Sequence, residues 1–212
     1  MLIIHNEPLL DLIRTSYTRS DIQTIFSQLG EKGTLTFPRL NNGLFPAAVL
    51  DEETEYTGYS NVWVRDNIHI AHAHYVWGKI EIAVQNAQTL MQYFTQHRSR
   101  FEAIIDQPSL AQEVMNRPHI RFNGKTLKEK PEDWPHAQND ALGYFLWFYC
   151  LLARDGFIEV SESDVQTLAR FPLYFRAIAY WQDEDSGHWE ETRKVSASSI
   201  GTVVAGLKAL KQ

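Results

Sequence analysis

Ala141 to Ala153 reads ALGYFLWFYCLLA. The run holds no charged residue, and plotted at 3.6 residues per turn it has no polar face. A helix apolar on every side must be buried on every side, so other elements have to surround it. Towards the C-terminus, Ser161 or Ser163 can cap a helix over Asp164–Arg170, and Pro172 either kinks it or sits in the first turn of a segment running to Trp181. A polar turn, Asp183 to Gly187, precedes HWEETRK, and a last helix begins near Ser198 with Val203, Val204, Leu207 and Leu210. Towards the N-terminus, Phe101–Met115 reads as a helix. The pattern from Asp66 onward is helical, with Ile80, Ala83, Val84, Ala87, Leu90, Met91 and Phe94 on one face. Asp11–Leu29 reads as a first helix ended by Gly30 and Gly33, with Ser20 as a candidate cap for a second segment. Residues 34–62 and 118–135, rich in Pro, Gly and Asn, read as long irregular connections, which tend to carry function. Six or seven helices and almost no strand are expected.

Composition narrows the class. The chain has 212 residues, 44% hydrophobic and 22% charged, the balance of a folded globular protein rather than a disordered or fibrous one. Twenty basic residues against 26 acidic ones give a net charge of −6, and no basic stripe exists to neutralise phosphates, which argues against nucleic acid. Cys150 is the single cysteine, so neither an intrachain disulfide nor a multi-cysteine zinc site can form. His69, His72 and His74 are spaced by three and two, which does not place all three on one helix face, so no metal is assigned. No apolar run approaches the ~18 residues of a membrane span, and Leu2–Ile4 is too short for a signal core; a cytoplasmic protein is expected. Six Trp and nine Tyr are mostly expected in the core, but flat rings with polar edges also suit sugars.

Three junctions place an aromatic ring beside charged or amide groups at a helix end: VWVRDN (Val62–Asn67), WPHAQNDALG (Trp134–Gly143) and SGHWEE (Ser186–Glu191). A neutral polyhydroxylated ring needs that combination, a face to stack on and forks for its hydroxyls. Together with GLFPA (Gly43–Ala47) and SASSIG, these motifs resemble glycoside hydrolase family 15, the glucoamylases and related α-glucosidases, and the homologous helical domain of the phosphorylase kinase α and β subunits. The likeness covers roughly Gly43 to Leu210.

The resemblance implies an all-α fold, an (α/α)6 barrel of helical hairpins, in a single domain spanning residues 1–212. It implies that Arg65 and Asp66 hold the hydroxyls of a non-reducing terminal glucose, with Trp63 lining the site. Trp134 would contact the sugar and support the acid, Glu190 would be the general acid, and Glu191 would bind the next sugar. Substitution of Arg65 or Asp66 is then expected to weaken sugar binding more than folding. The chemistry agrees: a carboxyl beside Trp189 with Glu191 as a like-charge neighbour has two causes for a raised pKa, as a proton donor requires.

Inversion needs a second carboxylate about 6.5–9.5 Å away, and in the family that base lies near the C-terminal end of the barrel. It is missing here. The chain reads as the N-terminal half to two-thirds of the barrel, C-terminally incomplete, with a separate second half or another copy of the chain expected to cover the exposed face. Asp140 is a weak stand-in for the base, because an Asp at a helix start usually caps. Two functions follow. One is an inverting α-1,4-glucosidase acting on the non-reducing ends of α-glucans or maltooligosaccharides, without cofactor, metal, nucleic acid or membrane. The other is a non-catalytic glucan-binding or regulatory module.

Overall fold

A computed structural model describes residues 10–48 and 59–212. The chain divides into two compact units, Met1–Pro38 and Arg39–Gln212; the Leu2–Ile4 patch lies outside the described residues. In the first unit, helix α1 spans Arg19–Glu31. It starts eight residues later than the apolar spacing suggests, because Thr18 caps it. The Thr18 hydroxyl accepts the Asp21 N–H and the Asp21 carboxylate accepts the Thr18 N–H, a reciprocal box that satisfies two otherwise orphaned donors. Ser20 lies inside the first turn.

The second unit is helical around its apolar centre. Helix α2 (Val64–Val76) and helix α3 (Ile80–Gln96) form a hairpin. The chain breaks between them at Gly78, whose φ of 77° few other residues adopt at low cost. Helix α4 (Ser99–Asp106) is shorter than expected. It stops before Pro108, where two 3-10 turns, Pro108–Gln112 and Val114–Asn116, carry the chain on. Helix α5 (Asn139–Arg154) is the all-apolar stretch, and most of its residues are buried. Ser161, not Ser163, caps α6 (Glu162–Leu168) through a box with Asp164. Pro172 sits in the first turn of α7 (Arg170–Ala177). Helix α8 (Ala197–Leu210) makes the most extensive contact with α5. Glycines permit that approach: a Cβ on Gly143 would lie 2.6 Å from Thr202 C and Val203 N, and one on Gly206 would lie 2.8 Å from the Gly143 carbonyl.

Eight α-helices are thus present among the described residues, one above the expected six or seven because the pattern from Asp66 onward is split at Gly78. No described helix is long and apolar enough to cross a membrane. The irregular connections hold a small antiparallel sheet that was not expected: β1 (Val62–Trp63), β2 (Arg121–Asn123) and β3 (Lys128–Glu129), in the order β1-β2-β3. Its register pairs Val62 with Phe122 and Trp63 with Arg121. Below it, Phe94, Phe101, Phe145, Phe171 and Phe175 fill the core, and Tyr93 stacks on Phe122 at 3.6 Å.

Candidate functional site

Local hydrogen bonds explain why the first two motifs lie together. Asn67, fully buried in the first turn of α2, accepts the Phe45 N–H at 2.8 Å and donates to the Phe45 and Trp63 carbonyls. Asn86 of α3 donates to Gly43 O and to Asn67 Oδ1. The GLFPA loop is thereby tied to the strand-to-helix junction that carries Trp63, Arg65 and Asp66. The third and fourth motifs meet by the same means. Ser186 N–H donates to Ala137 O at 2.7 Å, and Asn139 N–H donates to Asp185 Oδ2 at 2.9 Å. Burial pushes the Asp185 carboxyl up to about 6.

Glu190 stands where these segments converge. Its Oε1 accepts three N–H donors: Trp63 Nε1 at 3.0 Å, Trp134 Nε1 at 3.2 Å and Gln138 Nε2 at 3.0 Å. With one oxygen saturated as an acceptor, a proton on this carboxyl has to reside on Oε2. The backbone of Glu190 is in the left-handed region, φ 56°. A non-glycine residue there costs of order 1 kcal/mol or more, and such strain clusters at functional sites. A cleft of about 330 Å³ opens over this point, lined by Ala47, Tyr59, Trp63, Arg65, Asp66, Trp134, His188, Trp189 and Glu190. Trp63 and Trp134 meet edge to face at 5.7 Å, and Tyr59 stacks on Trp63 at 5.9 Å.

Five of the six residues singled out from sequence, Trp63, Arg65, Asp66, Trp134 and Glu190, therefore line one cleft although up to 127 positions separate them. Glu191 is turned away: it is exposed, and its carboxylate accepts Lys194 Nζ at 2.6 Å. Trp189 is 80% exposed and does not shield Glu190; the indoles against that carboxylate are Trp63 and Trp134.

Arg65 differs from the expectation of a mainly ligand-facing group. It is buried, and its Nη1 donates to Gln138 Oε1 at 2.8 Å and to Asp140 Oδ2 at 3.0 Å. Asp140 has no solvent exposure, its Oδ1 has no partner, and His188 Nδ1 lies 3.4 Å from its Oδ2. Asp140 is thus enclosed against Arg65 and is not among the residues that line the cleft. Asp66, one residue on, is exposed at the rim. The three histidines of α2 lie in separate surroundings: His69 edge-on to Tyr144, His72 against Trp147, and His74 stacked on Phe45. Among the described residues no group of three or more His, Cys, Asp or Glu is arranged to hold a metal ion.

Gln138, Asn67 and Arg121 carry structural weight that the sequence reading did not assign. Gln138 sat inside the WPHAQND motif and was legible as a position, though not as the link between Arg65 and Glu190. Asn67 closes VWVRDN in the same way. Arg121 stands in no motif.

The profile of Glycosyl hydrolases family 15 matches residues 25–212. Uncharacterized lipoprotein YgeQ of Escherichia coli (strain K12) is 28% identical over 213 residues, covering 87% of this chain and 78% of that protein. Phosphorylase b kinase regulatory subunit alpha of Oryctolagus cuniculus is 26% identical in its liver isoform, over 72% of this chain, and 24% identical in its skeletal muscle isoform, over 88%. The matches span 14% and 16% of those kinase subunits.

Proposed function

The chain belongs to glycosyl hydrolases family 15, and on that premise we propose that its cleft binds the non-reducing terminal residue of an α-1,4-glucan, with Glu190 as the group that protonates the glycosidic oxygen. The observation that carries the reading is the anchorage of Glu190 Oε1 by Trp63, Trp134 and Gln138 in the floor of an aromatic cleft. That anchorage leaves Oε2 as the proton-bearing oxygen, and a positioned general acid is worth about 10²–10⁴-fold in rate. The indoles and Tyr59 supply apolar faces for a sugar ring, while Asp66 and His188 supply polar partners at the rim.

Water activation is not assigned. Inversion requires a second carboxylate about 6.5–9.5 Å from the acid. Among the described residues the other carboxylate lining the cleft is Asp66, which the family resemblance gives to sugar hydroxyls. The described residues of the cleft thus account for sugar binding and for the acid. The likeness to regulatory subunits favours a second reading, a glucan-binding module without turnover.

Titration calorimetry with maltoheptaose, run beside NMR detection of released β-glucose, tests both. Binding with slow β-anomer release that Glu190→Gln abolishes supports the hydrolase; binding with no release in either protein supports the module. Absence of binding would refute both.

A further inference from the structure

Against the two indoles that hold Glu190 lies a cation that neither the motifs nor the proposed chemistry uses. Arg121 lies on β2 directly opposite Trp63 in the sheet register. Its guanidinium carbon is 4.0 Å from the ring centroid of Trp134 and 5.1 Å from that of Trp63. The residue is buried, its Nε has no hydrogen-bond partner, and no carboxylate lies within ion-pair distance among the described residues. Burial holds its pKa below the usual arginine range, while Glu132 and Glu190 act in the opposite sense. An apolar side chain would fill the gap between two indoles without the cost of burying an unpaired charge. What a guanidinium adds there is a cation over the faces of both indoles, which meet at 74°, and a positive charge near the carboxylate they hold.

We infer that Arg121 is the positioning residue of the acid: wedged against both indoles, it sets the angle at which Trp63 and Trp134 present their N–H groups to Glu190 Oε1, and so fixes Oε2 as the proton-bearing oxygen. Arg121 acts through the tryptophans and touches no substrate. The consequence for sugar affinity rests on the proposed function; the action of Arg121 on the two indoles does not.

The test is a double-mutant cycle with Arg121→Met and Glu190→Ala, plus Arg121→Lys, read by maltoheptaose calorimetry and by near-ultraviolet circular dichroism of the sugar-free proteins. Arg121→Met should weaken binding roughly tenfold and alter the indole bands. The loss of binding should shrink or vanish in the Glu190→Ala background, whereas the change in the indole bands should persist there, because Arg121 acts on the indoles directly; Arg121→Lys, which keeps the charge without the guanidinium, should recover only part of each. Equal losses of binding from Arg121→Met with and without the Glu190 carboxylate, or indole bands that Arg121→Met leaves unchanged, would overturn the inference, since a merely structural residue adds independently. If the wild-type chain does not bind the sugar, the proposed function fails and the dichroism arm still decides whether Arg121 sets the indoles. Should Arg121→Met fail to fold, Arg121→Lys in both backgrounds is read by the same criterion.

Discussion

Replacing Arg65 with alanine should unfold more than it unbinds. Asp140 is fully buried, its Oδ1 makes no hydrogen bond, and its Oδ2 is compensated by Arg65 Nη1 at 3.0 Å and, more distantly, by His188 Nδ1 at 3.4 Å. Breaking a buried ion pair from one side leaves an uncompensated charge and costs about 3–5 kcal/mol. Gln138 Oε1 loses its donor in the same step. For a protein of this size each kcal/mol moves the melting temperature by about 2–4 °C, so a fall of roughly 6–20 °C is expected. The exposed neighbour Asp66 provides the contrast, because Asp66→Asn should stay within about 0.5 kcal/mol of wild type. The double variant Arg65→Ala/Asp140→Asn should be more stable than Arg65→Ala alone, since removing the stranded charge removes most of the penalty. Denaturant melts of these proteins and of Asp140→Asn measure this directly. A loss below about 1 kcal/mol for Arg65→Ala, or strictly additive effects, would refute the pairing and return Arg65 to the role of a ligand-facing group.

Gly143→Ala should destabilise by about 1–2 kcal/mol in a thermal melt, because a methyl group 2.6 Å from the α8 backbone forces two helices apart and outweighs the roughly 1 kcal/mol gained in helix propensity; unchanged or raised stability would show that α5 and α8 are not in backbone contact. The buried His136 is held down to about 2, chiefly by burial and then by His119 stacked on it at 3.7 Å. Its unfolded form gains a proton below about pH 6.5 while the folded form does not, so its contribution is complete above that pH and drains at up to about 1.4 kcal/mol per unit as pH falls towards 2. Asp185, pushed up to about 6 by burial, works the other way: its contribution is complete below the ordinary Asp value of about 3.9 and is lost as pH rises through 6. Asp185→Asn should therefore raise stability at pH 8, by up to about 3 kcal/mol, and steepen the net acid-side loss between pH 6 and 4, which urea melts across that range can read; no gain at pH 8 would refute the assignment.

What was legible in the sequence follows the range of the interactions. Helix α5 could be read because burial on all sides demands apolar residues at every position. The motif residues could be read because each is local to a junction. The start of α1 was missed because Leu12, Ile13 and Tyr17 continue a helical spacing that the Thr18 cap cuts off. The break at Gly78 was hidden because apolar spacing persists across it. Strands of two or three residues are too short to show alternation, so β1 to β3 left no signal. The site failed to show in the sequence where it depends on contacts between segments. Gln138 bridges Arg65 to Glu190, and Arg121 reaches the indoles through sheet register. Neither relation has a local pattern.

The central claim, that this cleft holds the terminal sugar of an α-glucan, is tested most directly by one comparison: calorimetric titration of maltoheptaose into the wild-type chain and into Asp66→Asn. Asp66 lines the cleft yet is exposed, so its loss separates binding from folding. A charged hydrogen bond to a ligand is worth about 1.5–3 kcal/mol, and the account predicts affinity reduced by roughly 10- to 150-fold with the melting temperature unchanged. Equal affinities in the two proteins, or no measurable binding by the wild type, would contradict it.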